Sequence, residues 1–215
     1  MTITQNQNSQ RELTPDAALN LLKEGNARFT GNAMMDRDLL EQVEKTSTGQ
    51  YPYATILGCI DSRVPAEHVF DTGIGDIFNV RIAGNFVNED ILGSMEFATK
   101  LAGTKVIVVL GHTMCGAIKG ACDDAKLGNL TGMLAKLMPA VKAVPAELGE
   151  ASSSNTPYVL KAGEINVLQT VDNIRKMSPV IAEMESNGEL KIVGAMYDIA
   201  TGKVDFYSAD GGAVA

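Results

Sequence analysis

"KVIVVLGHTMCGA", residues 105–117, carries the reading of the fold. An aliphatic run ends in glycine, as a fully buried parallel strand does, and a histidine and a cysteine three apart follow it. "YATILG" (53–58) repeats the design: an apolar run, a glycine, then Cys59 and a burst of charge in "IDSR". "DIFNVRIAGN" (76–85) reads as a third strand, and "ILGSMEFATKLAG" (91–103) as the helix leading back to the 105–111 strand. Strands alternating with helices predict an α/β fold around a mostly parallel sheet.

Outward from this centre the signals are local. Thr14 as N-cap, Pro15 at the first helical position and Asp16 in the first turn open a helix. Its apolar stripe is Ala18, Leu19, Leu22 and Phe29. The polar residues before it, about 1–12, are expected to be disordered or an arm. Residues 128–157 read as helix broken by Pro139 and Pro145 and followed by a serine-rich loop. Another helix opens at Thr156-Pro157, is interrupted near Ser178-Pro179 and closes at Asn187-Gly188. "ELKIVGAMYDI" and "KVDFYS" predict a closing hairpin. No repeat, heptad run or linker divides the chain, so residues 1–215 are read as one domain.

Composition narrows the function. A net charge of −8 disfavours nucleic acid and anionic membranes as partners. No apolar run reaches the roughly 18 residues of a membrane span, and the start shows no signal-peptide pattern. Three cysteines are too few for a disulfide scaffold and suggest reduced thiols in the cytoplasm.

In an open α/β sheet, ligands gather outside the carboxyl ends of the strands. Cys59 and His112 both fall at that edge, and Cys115 is one turn into the next helix. Two thiolates and an imidazole suit zinc, and catalytic sites use such a set with the fourth position open. A buried cysteine alone is more commonly a small hydrophobe, but two strand-end sites together favour a metal. Cys122, two turns beyond Cys115, is read as packing, and His68 as a surface residue or a neighbour of the ligands. Asp61 and Arg63 follow Cys59 on one face of a turn. The arginine fork keeps such a carboxylate ionised and oriented, ready to accept a hydrogen bond from a metal-bound water.

"CIDSRVPAE" and "GHTMCGAIKG" resemble the ligand segments of the β-class carbonic anhydrases. "FNVRIAGNFV", "YDIATGKVDFY" and "TPDAALNLLKEGNARF" also look like that family, so the resemblance spans nearly the whole chain. It implies one zinc per subunit on Cys59, His112 and Cys115, with Asp61 and Arg63 as the catalytic dyad. It implies reversible hydration of carbon dioxide to bicarbonate, and a homodimer or dimer of dimers. It further implies that dimerisation completes the sheet and that the N-terminal helical arm wraps the partner.

The resemblance also implies substrate contacts at Gln50, Phe78, Ala83 and Phe97, with Gly116 supplying a backbone N–H. Phe78 matches an aromatic contributed by the partner subunit. Ala83 stands where plant-type members carry valine, and Phe97 where they carry tyrosine. Arg81 and Tyr197 match two of three residues of a regulatory anion pocket, but the third, a tryptophan, is Ile56 here. With Gln50, this implies the open form, in which Asp61 pairs with Arg63 instead of the metal. Two other readings remain at this stage: hydrolysis of carbon disulfide or carbonyl sulfide, distinguished by pocket access, and a structural zinc module, distinguished by a closed fourth position.

Overall fold

The computed structural model describes residues 4–207 and 213–214. Six strands, β1 (Ala54–Gly58), β2 (Ile77–Arg81), β3 (Val106–His112), β4 (Lys191–Tyr197), β5 (Val204–Tyr207) and β6 (Ala213–Val214), form one sheet in the order β2-β1-β3-β4-β5-β6. The β2, β1, β3 and β4 neighbours pair parallel, while β4–β5 and β5–β6 pair antiparallel. The predicted mostly parallel sheet and closing hairpin are thus present. The hairpin's last expected residue, Ser208, lies outside the described residues.

The helices are α1 (Gln7–Glu12), α2 (Pro15–Thr30), α3 (Leu39–Thr46), α4 (Ala66–Val69), α5 (Glu89–Glu96), α6 (Gly116–Cys122), α7 (Gly128–Leu134), α8 (Met138–Lys142), α9 (Thr156–Met177) and α10 (Pro179–Ser186). Along β3 the side chains alternate between two buried layers. Val106, Val108 and Leu110 pack with Ala18, Leu22 and Phe70; Ile107 and Val109 pack with Met95, Val167, Val171 and Ile174. Burial on both faces is why the strand reads as an unbroken aliphatic run. A third cluster, including Ile118, Leu134, Leu137 and Tyr158, packs around Cys59, Cys115 and Cys122.

Helix α2 opens as its sequence predicts, with Thr14 Oγ1 accepting from the Ala17 N–H. Its inner face carries Asn26, whose amide donates to the carbonyls of Val69 and Gly202 and accepts from the Val204 N–H. One side chain therefore joins α2 to α4 and the hairpin.

Three expectations need adjustment. Residues 7–12 are helical, capped reciprocally by Asn6 and Ser9 and docked by buried Gln10, whose amide donates to the carbonyls of Pro52 and Ala102. The helix expected over 91–103 is α5 followed by a π-helical turn, Phe97–Leu101. Pro139 lies in the first turn of α8 instead of ending a helix, since an early helical position needs no N–H donor.

The strand order places the site. From β1 the chain passes to β2 on one side, then crosses to β3 on the other. The crevice at the carboxyl ends of β1 and β3 lies at this reversal, where the loops diverge. Cys59 follows β1, and His112 is the last residue of β3.

Candidate metal centre

Each donor is aimed by local backbone. Between His112 and Cys115, Met114 adopts φ 57°, a left-handed conformation uncommon for a residue with a side chain. That reversal brings Cys115, the N-cap of α6, back beside the end of β3. The Sγ atoms of Cys59 and Cys115 are 3.9 Å apart, and with a His112 ring nitrogen the three donor atoms lie within 4.8 Å of one another. All three residues are buried.

The donor chemistry fits a metal. His112 Nδ1 lies 2.9 Å from the Thr113 carbonyl, which can only accept, so the proton sits on Nδ1. Nε2 is left with a free lone pair, and it is buried with no hydrogen-bond partner among the described residues. This second-sphere bond is the arrangement that orients a histidine ligand. Two sulfurs on one tetrahedral zinc, each at about 2.3 Å, stand about 3.8 Å apart, close to the separation seen.

The two thiols lie within hydrogen-bonding reach of each other. The hydrogen bond from Cys115 pulls the Cys59 thiol well below the usual range, with burial opposing and the Gly84 N–H assisting. Cys115 is pushed up by the same bond and by burial. A bound cation would displace the thiol protons of both sulfurs. Cys122 sits among the apolar residues of the third cluster, away from this donor group, as predicted for packing.

Asp61 and Arg63 form the expected fork. Arg63 Nε donates to Asp61 Oδ1 at 2.8 Å and Nη2 to Oδ2 at 2.7 Å, and the Arg63 backbone N–H also donates to Oδ1. The guanidinium holds the Asp61 carboxyl well below the usual carboxylate range. Asp61 Oδ2 is 3.8 Å from His112 Nε2, so the carboxylate stands at the mouth of the donor cluster. Arg81, at the end of β2, donates to the carbonyls of Cys59 and Asp61 and straps the whole turn. This anchoring of the Cys59–Asp61 turn was not visible in the sequence.

The other expected residues divide into two groups. Gly116 is the exposed first residue of α6, beside Cys115, and half-buried Ala83 precedes Gly84, whose N–H donates to Cys59 Sγ at 3.4 Å. Gln50 is exposed and precedes the amino end of β1, whereas Cys59 follows its carboxyl end. Phe78 lies on β2 with its ring edge-on to Phe97, centroids 6.3 Å apart, in a groove shared with Val80 and Gly93. Phe97 is 51% exposed. His68 is exposed on α4, and Ile56 and Tyr197 are buried in the sheet. Gly84 and its anchor Asn166 were missed; their only sequence signal is a glycine before Asn85, a turn-forming pair.

Comparison with known proteins agrees with this geometry. Residues 54–204 match the carbonic anhydrase family. The chain is 35% identical to a carbonic anhydrase of Mycolicibacterium smegmatis, over 90% of this chain and 94% of that one. The crystal structure of the β-carbonic anhydrase CafA of Aspergillus fumigatus superposes with a TM-score of 0.71 at 29% identity, covering 90% of each chain. A tetrameric β-carbonic anhydrase of Sordaria macrospora superposes at 0.73 and 25% identity, covering 93% of this chain and all of that one. Among the described residues, no helix is long and apolar enough to cross a membrane.

Proposed function

This chain belongs to the β-class carbonic anhydrase family, and from that premise we propose how its residues carry out the reversible hydration of carbon dioxide to bicarbonate and a proton. Cys59, His112 and Cys115 hold zinc, one ion per chain. Zinc bound there supplies the Lewis acidity that makes water a nucleophile near neutral pH.

Asp61, kept ionised by Arg63, accepts the hydrogen of the attacking water and turns its lone pair toward the substrate carbon. Each carboxylate oxygen has two acceptor sites, so the Arg63 fork leaves capacity for this bond. Arg81 holds the Cys59 and Asp61 carbonyls and so fixes sulfur and carboxylate relative to each other. The Gly116 N–H, in the first turn of α6 where the helix itself supplies no acceptor, donates to the charge developing on the carboxyl oxygens.

A second copy of the chain completes the pocket. Gln50 of the partner subunit supplies a donor and Phe78 of the partner subunit an apolar wall, with Phe97 of the partner subunit edge-on to it, beside this chain's Ala83. With phenylalanine in place of the family's tyrosine, that wall has no hydroxyl to relay a proton. The chain acts as one domain, assembled as a homodimer or a dimer of dimers, in the cytoplasm.

The observation that carries this reading is the free lone pair of buried His112 Nε2, beside two thiols and 3.8 Å from the Arg63-held carboxylate. Stopped-flow hydration of carbon dioxide tests it. Catalysis should be lost on chelation and return with zinc. Catalysis indifferent to a chelator, or zinc-loaded protein no faster than water, would overturn it.

A further inference from the structure

We propose that Asn166, on α9, is a positioning residue for the metal centre: it holds the Gly84 N–H against the Cys59 sulfur and so tunes that thiolate. The inference rests on the metal reading above. Asn166 is 4% exposed, and its Nδ2 donates to the Gly84 carbonyl at 2.8 Å. From the other side of the same residue, the Gly84 N–H donates to Cys59 Sγ at 3.4 Å.

The backbone here requires an anchor. Gly84 has φ 82° and Asn85 φ 40°, consecutive left-handed residues that no regular ladder supports. A Cβ at Gly84 would stand 2.8 Å from Leu137 Cδ1, so the position favours glycine, the residue with most freedom to move. The Asn166 amide removes that freedom. It is itself carried on a rigid base. The next residue, Val167, packs so closely on β3 that a Cβ on Gly111 would lie 2.5 Å from its Cγ2. Helix α9 thereby transmits the position of the sheet to one N–H···S bond. A hydrogen bond to a metal-bound thiolate lowers the energy of the sulfur lone pair and weakens its donation, which is how outer groups tune a metal.

A merely structural Asn166 would satisfy a buried carbonyl and do no more. Cobalt-substituted enzyme separates the two roles through its thiolate-to-metal charge-transfer band. In Asn166→Ala that band should move to longer wavelength, because the sulfur loses its hydrogen bond and becomes a stronger donor. Asn166→Leu, similar in size and with no polar atom to donate to the carbonyl, should move it likewise. Asn26→Ala removes a comparable buried amide that bonds Val69, Gly202 and Val204 and none of the donor residues, and should leave the band in place.

A band unmoved in Asn166→Ala, or moved equally in Asn26→Ala, would overturn the inference. Should the Asn166 variants fail to fold, cadmium-113 substitution of the unmutated enzyme serves instead. A through-bond coupling between the metal and the Gly84 amide proton is expected, and its absence would refute the hydrogen bond. A cobalt-loaded unmutated enzyme with no thiolate band at all would instead remove the metal reading itself.

Discussion

Asp61 takes its role from a residue two positions away. Three donors of Arg63 converge on its carboxylate and hold it ionised, facing the buried His112 nitrogen. An amide at this position can present an NH₂ where an acceptor is required. Asp61→Asn should therefore keep its metal yet lose about a hundredfold in kcat/KM, the usual scale for a misassigned proton partner. Stopped-flow assays with metal analysis of the same sample check this; undiminished activity in metal-replete Asp61→Asn would remove the aspartate from the mechanism.

A second carboxyl, Asp76, has no such fork. It is buried just before β2, with Oδ2 accepting from the Gly73 N–H and Oδ1 unpartnered among the described residues. Burial raises its pKa, against the lesser pull of the Gly73 N–H and Arg37. A carboxyl raised in the folded state binds more protons folded than unfolded between its two pKa values. It thus contributes stability present below the unfolded value of about 3.9 and lost as pH rises through the folded one. Urea midpoints of the unmutated protein should therefore fall relative to Asp76→Asn as pH rises from about 4 to about 7. Parallel pH profiles would contradict the assignment.

Elements are held together by close approaches at small residues. On α2, a Cβ at Gly25 would lie 1.9 Å from the Phe70 carbonyl oxygen, a backbone atom that cannot swing away. Gly25→Ala should destabilise by about 3 kcal/mol. On α7, Gly132 has nothing within 4 Å of the same position, so Gly132→Ala should stabilise by about 0.5–1 kcal/mol through the unfolded chain. Denaturant titration of the two variants distinguishes them, and equal effects would mean that the α2–α4 contact is looser than described.

Much of this scale is legible in the sequence, for identifiable reasons. β1 and β3 are buried on both faces and so read as aliphatic runs, and α2 announces itself through Thr14, Pro15 and Asp16. The donor trio is legible because its members stand at the ends of those runs. Helix α1 is not, because Gln10 docks it through bonds to residues 42 and 92 positions away. Nor is the Asn166–Gly84–Cys59 chain, whose links span 82 and 25 residues. Such bonds depend on the completed fold, and no local pattern encodes them.

At the scale of the molecule, the sheet ends on an open edge. Among the described residues β2 has a neighbour on one side only, and Phe97, Leu101 and Ile60 are 51, 76 and 61% exposed. An unprotected edge beside apolar surface favours association with a second copy. Light scattering of the purified protein should give twice or four times the mass of one chain, and the mass of a single chain would contradict the proposed assembly.

The central claim is that two sulfurs and one imidazole of this chain hold the catalytic ion with one position open to solvent. X-ray absorption at the zinc edge of the purified enzyme tests it most directly. Two sulfur scatterers at about 2.3 Å and two nitrogen or oxygen scatterers at about 2.0–2.1 Å are expected, with the multiple scattering of a single imidazole. A shell with any other number of sulfurs, or with no imidazole, would contradict the account.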